Sequence, residues 1–375
     1  MADPAESRAA VPTRVLLVAT QLCARVPGGT GRYVEELVAA LVSSLPTGGQ
    51  LAATAPRGCA AAARLAVPVE PLSLPLPVLA RLWDRNLPPR LAGSRVVHAP
   101  TLMVPTVASG TPLVVTVHDL VPWTHPETLT ARGVEFHRRM GARAAGEARV
   151  IVTPTDAVAR QVREILAPRG AVVAVPSGVR VTDAPHDAAE RRARLGADGD
   201  YLLFVGTAEP RKGLDTLVAA LARSDLARSR LVVVGPPGWG DVRVADLAAS
   251  AGVSDRVVIT GRLTEVDLAA VYAGATALAM PSRAEGFGFP VLEAMAHRVP
   301  VVISDDPALT EVSGGAAFVT PVGDVDALAA SLAGAGAAGQ RRDDAVRAGW
   351  LRAQEFDWAR TAASMWSIYA SVSGG

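Results

Sequence analysis

Short runs of Val, Ile and Leu recur along the chain, and within them apolar residues are continuous rather than alternating with polar ones. Such runs are typical of strands buried on both faces of a parallel sheet. Eight runs are predicted as strands: Arg14–Thr20, Leu113–Val117, Val150–Thr153, Ala171–Val175, Tyr201–Val205, Leu231–Val234, Val257–Thr260 and Val299–Ile303. Between them the spacing is helical, as in Tyr33–Leu45 after Gly31. The alternation predicts parallel sheets joined by crossover helices.

The strand pattern pauses between Pro176 and Asp200, where the chain is polar and rich in Gly and Pro. A length of 375 residues suits two domains of ordinary size. We therefore predict two doubly wound, Rossmann-like α/β domains, residues 1–180 and 181–355, which face each other across a cleft. Residues 356–375 are expected to form a closing helix that packs back on the first domain. An inserted helix around Trp83 is predicted within Pro71–Leu91.

Composition narrows the functional classes. Lys and Arg total 37 against 36 Asp and Glu, so the net charge of +1 gives no basis for a nucleic-acid partner. Cys23 and Cys59 lack zinc or disulfide-framework spacing and are expected to be thiols in a reducing compartment. Met1–Thr13 lacks the apolar segment of a signal peptide, and no apolar run reaches the roughly 20 residues of a membrane span. A cytoplasmic location is expected.

The segment Pro281–Pro300 carries the most chemical information. A strand-like run, Ala277–Met280, leads into a Gly-rich turn that opens a helix, and Pro290 suits the first helical position. The backbone N–H groups of Phe287 and Gly288 would then be free at a helix N-terminus, where the dipole favours anions. Gly286 and Gly288 would let a ligand approach closely. This turn is a candidate phosphate site.

Glu285 and Glu293 lie eight residues apart, in the turn and in the helix, so both carboxylates can border one ligand. Carboxylates would repel a phosphate, so their presence here indicates that hydroxyl-bearing groups, such as a sugar and a ribose, lie next to the phosphates and donate to the carboxylates. The alternative is a helix cap together with a solvated glutamate.

Three further segments place polar residues at strand ends. Gly28 and Gly29 follow the first strand and open a helix, without the GxGxxG fingerprint of dinucleotide binding. His118 and Asp119 follow Leu113–Val117 at the expected edge of the cleft; the alternative is a structural histidine and a turn cap. Arg211 and Lys212 precede a helix, where cations are disfavoured unless an anion is near. The alternative there is a solvated helix start.

The sequence EGFGFPVLE (Glu285–Glu293) resembles the Glu-x7-Glu signature of the retaining GT-B glycosyltransferases of family four. Other landmarks resemble the family in its order: Val175–Val179, Phe204–Leu221, Val232–Gly240 and Val257–Ala275. The resemblance covers nearly the whole chain. It implies GT-B architecture, with an acceptor-side first domain and a second domain that binds a nucleotide sugar.

The resemblance also implies residue roles. Lys212 would bind the diphosphate and stabilise its departure, Glu293 would hold the ribose, and Glu285 with the backbone of Phe287 and Gly288 would hold the donor sugar. His118 would lie near that sugar, so His118, Lys212 and Glu285 are the catalytic candidates. The remaining donor-binding candidates are Gly28, Gly29, Gly206, Thr207, Arg211, Gly261, Arg262, Leu263 and Gly286. Many members have Arg where this chain has Thr207, and Arg211 is the candidate to compensate.

By the same resemblance, the reaction is retaining transfer of a hexose from a nucleotide-diphosphate sugar to a glycan or glycolipid acceptor. The segments GTAEPRKG and VTVHDLVPWTHPE look most like members that use GDP-mannose in polysaccharide and glycolipid assembly. The alternatives are a nucleotide-sugar epimerase and a non-catalytic nucleotide-sugar-binding protein, the latter favoured if Thr207 abolishes turnover.

Two acidic clusters, Ser304–Asp306 and Asp324–Asp326, precede helical segments and are interpreted as caps rather than metal ligands. Metal-independent transfer without a cofactor is therefore expected. The stretch Thr130–Arg149 predicts a basic helix that either contacts an anionic membrane at its inner face or presents a solvated face.

Overall fold

The computed structural model describes residues 13–24, 26–92, 95–238, 240 and 242–373. Residues 1–12 and 374–375 lie outside this part, and with them most of the predicted N-terminal tail and the end of the closing segment.

The N-terminal half forms a parallel sheet flanked by helices. Its strands are β1 (Arg14–Val18), β2 (Gln50–Ala55), β3 (Val69–Pro71), β5 (Val96–Ala99), β7 (Leu113–Thr116), β8 (Val150–Thr153) and β9 (Ala171–Ala174), and two short strands, β4 (Arg90–Leu91) and β6 (Thr106–Val107), pair separately. Within the described residues the sheet order is β3-β2-β1-β5-β7-β8-β9. The helices of this half are α1 (Gly28–Ser43), α2 (Leu76–Asp84), α3 (Val121–Thr124), α4 (Ala131–Glu147) and α5 (Asp156–Gln161).

The C-terminal half repeats this plan. Its strands are β10 (Tyr201–Val205), β11 (Arg230–Val234), β12 (Val257–Gly261), β13 (Ala277–Met280), β14 (Val301–Ser304) and β15 (Phe318–Thr320), in the order β12-β11-β10-β13-β14-β15 among the described residues. The helices are α6 (Ala188–Arg194), α7 (Leu214–Leu221), α8 (Val244–Ser250), α9 (Glu265–Gly274), α10 (Phe289–Ala296), α11 (Pro307–Ser313), α12 (Val325–Gly336), α13 (Gln340–Ala353) and α14 (Trp358–Ser373).

The predicted class of two doubly wound α/β domains is confirmed. All eight predicted strands form, two with the predicted bounds and the others with ends shifted by one or two residues. In the inner strands the continuous apolar runs reflect burial on both faces, as in β7, where every residue is buried. The edge strands β9 and β12 have equally apolar runs but are only half-buried. Strands β2, β3, β5 and β15 were not predicted. Strand β2 consists mainly of Ala and Thr. Strands β3 and β15 are only three residues long, and His98 interrupts the apolar run of β5.

The inserted helix predicted around Trp83 is present as α2, with Trp83 fully buried against the first sheet. The amphipathic helix after Gly31 is present as α1, but it ends at Ser43, so Leu45 lies beyond it and is exposed.

The C-terminal helix α14 packs along α1 of the first domain. Trp366 Nε1 donates to the carbonyl of Leu41 at 3.2 Å, and the Tyr369 hydroxyl lies 2.7 Å from His98 Nδ1. The chain therefore crosses back after the second domain and completes the hydrophobic core of the first.

The cysteine prediction was wrong. Cys23 and Cys59 form a disulfide, with their Cα atoms 5.4 Å apart, and both are half-buried. The two residues are 36 positions apart in sequence. Because β1 and β2 are parallel neighbours, the segments that follow these strands meet at the same edge of the sheet, and this adjacency has no signature in the cysteine spacing.

The two domains meet in close backbone and charge contacts. Both carboxylate oxygens of Glu311 accept backbone N–H groups at the start of α5, from Asp156 and Ala157, each at 2.7 Å. A Cβ added at Gly286 would lie 1.7 Å from the carbonyl oxygen of His118. The second domain can therefore approach the first at this point only with glycine there.

Replacing Gly286 by Ala should destabilise the protein by about 1–3 kcal/mol, because the added methyl group overpacks the contact with His118. Thermal and urea unfolding measure the effect. Gly334→Ala is the matched control, since it lies within α12 with no atom within 4 Å of the added Cβ, and should be neutral or slightly stabilising. Equal stability of Gly286→Ala and the wild type would contradict the observed inter-domain distance.

His98 should make stability depend on pH. It is fully buried between Thr116 and Tyr369, and burial, with His118 nearby, lowers its pKa to about 3. In the unfolded chain its pKa is near 6.5, so its contribution is fully present above that pH and is lost as the pH falls towards 3.

Between pH 7 and pH 5, this histidine should therefore lower the free energy of unfolding by about 2 kcal/mol. Urea titrations at the two pH values test it. His98→Gln should remove this part of the decrease, whereas His137→Gln, on the half-buried side of α4, should behave as the wild type does. A His98→Gln protein with the wild-type pH dependence would refute the assignment.

Candidate active site

The loops that follow β10 and β13 lie side by side because these two strands are parallel neighbours in the second sheet. The first loop carries Arg211 and Lys212 in a short 3-10 turn before α7. The second carries Glu285 and ends at α10. The carboxyl ends of such strands are where open α/β sheets bind ligands.

Glu285 is the centre of a buried charge network. Its Oε1 accepts from Lys212 Nζ at 2.5 Å and Ser282 Oγ at 2.7 Å, and its Oε2 accepts from Arg211 Nη1 at 2.9 Å. Arg211 also pairs with Glu209 at 2.8 Å. The two cations of the loop therefore face two carboxylates, and each of these four side chains is largely shielded from solvent.

The network determines the protonation of its carboxyl groups. Burial alone would raise the pKa of Glu285, but the charges of Arg211 and Lys212, with hydrogen bonds from Lys212 and Ser282, lower it to about 2. Asp306 lies nearby and accepts from the Glu285 backbone N–H at 3.2 Å. Burial, with the charge of Glu285, raises the pKa of Asp306 to about 6. Glu285 is thus an anion throughout the neutral range.

Lys212 is the only lysine in the sequence; the other 36 of the 37 Lys and Arg residues are arginines. A lysine ammonium is a compact charge with three donors, whereas an arginine is a planar fork. The one lysine of the sequence thus lies in the buried charge network around Glu285.

The helix N-terminus predicted after Glu285 is present. Gly288 is the N-cap residue of α10 at φ 95°, where a Cβ would also meet Leu309 at 2.6 Å, so only glycine fits. Pro290 is the second rather than the first helical residue. Among the described residues no side chain caps this first turn, which leaves its N–H groups available to an anion.

Glu293 lies in α10 and its carboxylate is almost fully buried. Its Oε2 accepts from the Tyr272 hydroxyl at 2.6 Å, and its Oε1 is paired with the guanidinium of Arg32 from the first domain. The Tyr272 ring in turn stacks on His297, with ring centroids 5.3 Å apart. An ion pair between the domains thus involves the residue that the sequence predicts for ribose binding.

The first domain contributes the start of α1 and the loop after β7. Gly28 begins α1 with open space at its Cβ position, and a Cβ added at Gly29 would lie 3.8 Å from the Phe289 ring. His118 Nε2 lies 2.8 Å from the carbonyl of Pro100 and therefore donates to it. Burial lowers the pKa of His118, so its imidazole is neutral at pH 7.

These residues line one cleft of about 580 Å³ between the domains. Fourteen of the predicted site residues form part of its wall: Gly28, Gly29, His118, Gly206, Thr207, Arg211, Lys212, Arg262, Leu263, Glu285, Gly286, Phe287, Gly288 and Glu293. Gly261 does not line it. This glycine ends β12 at φ 71° and its carbonyl accepts from Gly235, while the next two residues reach the cleft.

A second cavity of about 510 Å³ adjoins the first and shares Arg32, Arg262, Leu263 and Glu293 with it. Tyr272, His297 and Arg180 are also part of its wall. The Arg32–Glu293 ion pair lies where the two cavities meet.

Arg32, Glu209, Tyr272 and Ser282 belong to this site and were not predicted as site residues. Arg32 lies three positions after Gly29, Glu209 lies within a segment that resembles the family, and Ser282 lies in the Gly-rich turn just before Glu285. Their positions therefore carried a signal. Tyr272 also lies in such a segment, Val257–Ala275, but it was assigned no role because an aromatic residue in a helix is ordinarily part of the core.

The predicted caps are confirmed. Asp306 accepts from Ala308 and Leu309 at the start of α11, and Asp324 accepts from Ala327 at the start of α12. In the basic helix α4, Arg139 pairs with Asp84 and Arg143 with Glu147. Within the described residues, no helix combines the length and the apolar character needed to cross a bilayer.

Family comparisons agree with this arrangement. Residues 27–183 match the model described as "Glycosyltransferase Family 4", and residues 187–349 match "Glycosyl transferases group 1". The chain is 29% identical to the O-antigen chain mannosyltransferase B of Escherichia coli over 272 residues, 70% of this chain and 71% of that protein. It is 36% identical to the D-inositol 3-phosphate glycosyltransferase of Thermobispora bispora over 293 residues, 70% of this chain and 66% of that protein.

Solved structures match the fold over almost the full length. The sucrose-phosphate synthase of Thermosynechococcus elongatus superposes with a TM-score of 0.75 at 20% identity, covering 96% of this chain and 99% of that one. HepE of Anabaena, in complex with UDP and glucose, superposes with a TM-score of 0.71 at 18% identity, covering 96% and 100%. Two parallel-sheet domains with these matches, and family models that together span most of the sequence, show that the chain belongs to glycosyltransferase family 4 and is a GT-B-fold glycosyltransferase.

Proposed function

We propose that this enzyme transfers a hexose from a nucleotide-diphosphate sugar to a glycan or glycolipid acceptor with retention of the anomeric configuration. The donor we propose is GDP-mannose. The observation that supports this most directly is the meeting of Lys212, Glu285 and the uncapped N-terminus of α10 in one cleft between the domains.

The diphosphate is assigned to the loops after β10 and β13. Lys212 donates one N–H group to Glu285, so two of its three N–H groups remain for phosphate oxygens. The α10 N-terminus adds backbone donors and the positive end of the helix dipole. Both would stabilise the negative charge that develops as the nucleotide diphosphate departs.

The donor sugar and the ribose are assigned to the two glutamates. Oε1 of Glu285 takes two hydrogen bonds and Oε2 takes one, which leaves Oε2 a lone pair for a sugar hydroxyl. Glu293 is held by Tyr272 on one oxygen, and its other oxygen would serve the ribose. His118 would lie near the sugar as a neutral group.

In the proposed reaction, the acceptor hydroxyl attacks C1 from the face that the diphosphate leaves. The bond from C1 to the diphosphate oxygen breaks, its electron pair stays on the diphosphate, and the acceptor proton passes to a diphosphate oxygen. Glu285 accepts hydrogen bonds from Lys212, Arg211 and Ser282. These bonds hold its carboxylate as the partner of the two cations and make it a poor nucleophile for covalent attack. Neither a metal ion nor a cofactor has a step in this scheme.

The relatives support the donor and acceptor classes. The matched E. coli protein is named for mannosyl transfer to the O-antigen chain, and HepE was solved with UDP and glucose. Membership in a glycosyltransferase family speaks against the epimerase alternative. Transfer at the cytoplasmic face of a membrane, with α4 touching anionic lipid, belongs to the same proposal.

A panel of nucleotide sugars tests the donor. Thermal shifts with GDP-mannose, GDP-fucose, UDP-glucose and UDP-N-acetylglucosamine should single out GDP-mannose, and that donor should then be consumed slowly in the presence of a mannan or glycolipid acceptor. Binding with neither hydrolysis nor transfer would favour the non-catalytic alternative instead.

Lys212→Ala should lower kcat by about 10²–10³-fold, because it removes a preorganised donor to the departing diphosphate. Steady-state kinetics with the identified donor measure the loss. Arg223→Ala, which removes an exposed cation paired with Asp326, is the matched control and should keep wild-type turnover. An unchanged kcat for Lys212→Ala would remove the central step of the proposal.

The stereochemistry is decided by NMR of the product. With an α-linked donor, the one-bond C1–H1 coupling at the new anomeric carbon should be that of an α-linkage. A β-linked product would show inversion and would refute retention, while the donor assignment would still stand.

A further inference from the structure

Arg32 links the two domains at the active site. It is the fifth residue of α1, three positions after Gly29, and pairs with Glu293 of the second domain. Its second terminal nitrogen donates to the Arg180 carbonyl at 2.7 Å, in the segment that joins the domains. The residue lines both inter-domain cavities.

The two cations of the loop after β10 are already matched by carboxylates. Arg211 pairs with Glu209 and Glu285, and Lys212 pairs with Glu285, so two positive side chains meet two negative ones. A nucleoside diphosphate brings at least two further negative charges into this cleft. The wall of the loop at Thr207, where the sequence resemblance expects an arginine, offers a hydroxyl and no charge.

Arg32 is more exposed than the two cations of that loop. Its side chain is 34% exposed, against 18% for Arg211 and 11% for Lys212. Its carboxylate partner, Glu293, is an oxygen acceptor that ribose hydroxyls can satisfy in its place. A ligand that brings both hydroxyls and a diphosphate can therefore release Arg32 from Glu293 and offer it a stronger anion.

We propose that Arg32 of the first domain binds the donor diphosphate and supplies the positive charge that the second domain lacks at Thr207, with Glu293 holding it in place until ribose binds. This rests on the proposed nucleotide-diphosphate donor. When the donor binds, contacts of Arg32 with the diphosphate and of Glu293 with the ribose would then replace the ion pair between the domains.

In the transfer step Arg32 keeps its protons. As the bond from C1 to the diphosphate oxygen breaks, the electron pair moves onto the diphosphate, and the guanidinium N–H groups donate to that charge. The acceptor oxygen forms the new bond to C1, and its proton leaves on the diphosphate as before.

Calorimetry on the full chain tests the role, with GDP and guanosine as probes and UDP and uridine in parallel. Arg32→Ala should weaken nucleoside-diphosphate binding about ten- to a hundredfold, because a charge-assisted contact to phosphate is lost. Binding of the bare nucleoside should stay within about threefold of wild type or improve, since Glu293 is freed for the ribose. Arg32→Lys, which keeps the charge, should recover part of the diphosphate affinity.

A second-site variant separates charge supply from structure. Thr207→Arg in the Arg32→Ala background should restore diphosphate affinity and turnover towards wild type, because it places the cation on the second domain instead. Arg57→Ala, at an exposed position of the first domain, is the matched charge control and should bind both probes as the wild type does.

An unchanged ratio of nucleoside-diphosphate to nucleoside affinity in Arg32→Ala would overturn the proposal, because a purely structural tie between the domains weakens both ligands alike. The same applies if Arg262→Ala, rather than Arg32→Ala, selectively loses the diphosphate, since Arg262 lines the same two cavities. A wild-type protein that binds none of these nucleotides would instead refute the proposed donor itself.

Discussion

The burial of Glu285 against Arg211 and Lys212 is the interaction on which the active site depends. A carboxylate this deeply buried is stable as an anion only because two cations and a hydroxyl donate to it. The two cations come from a different loop, and the loops meet because β10 and β13 are neighbours in the sheet. The parallel order of the second domain is therefore what makes the charge network possible.

The same network organises the rest of the cleft. It holds the turn between β13 and α10 in the shape that exposes the first turn of α10. Gly288 in this turn has a positive φ, a conformation that favours glycine. Asp306 supports the turn from β14 by accepting the Glu285 N–H while it caps α11. One strand end thus positions a carboxylate, a helix dipole and free backbone donors together.

The domains are joined at the cleft by contacts that differ in kind. Gly286 against His118 is a steric contact that tolerates no side chain, and Glu311 caps a helix of the opposite domain. Arg32 with Glu293 is electrostatic and partly open to solvent. A ligand can replace the electrostatic contact far more easily than the steric one, which is why the proposed link between donor binding and the domain interface is assigned to Arg32.

The sequence by itself determined the local elements and much of the cleft. Continuous apolar runs indicated the buried strands, and the Gly-rich turn with Pro290 indicated the start of α10. Because ligand loops in parallel sheets follow strand ends, most predicted residues line one cleft. Strands such as β2 and β5 escaped prediction because Ala, Thr and His98 weaken the apolar pattern, and tertiary contacts compensate for it.

Tertiary structure alone decided which distant residues meet. Cys23 and Cys59 pair across parallel strands, Arg32 reaches Glu293 across 261 positions, and Tyr369 returns to His98 across 271. Periodicity and spacing describe a residue's own helix or strand, and they carry no information on which other element packs against it. These pairings follow from strand order and from the way the two domains close on each other, which are properties of the folded chain.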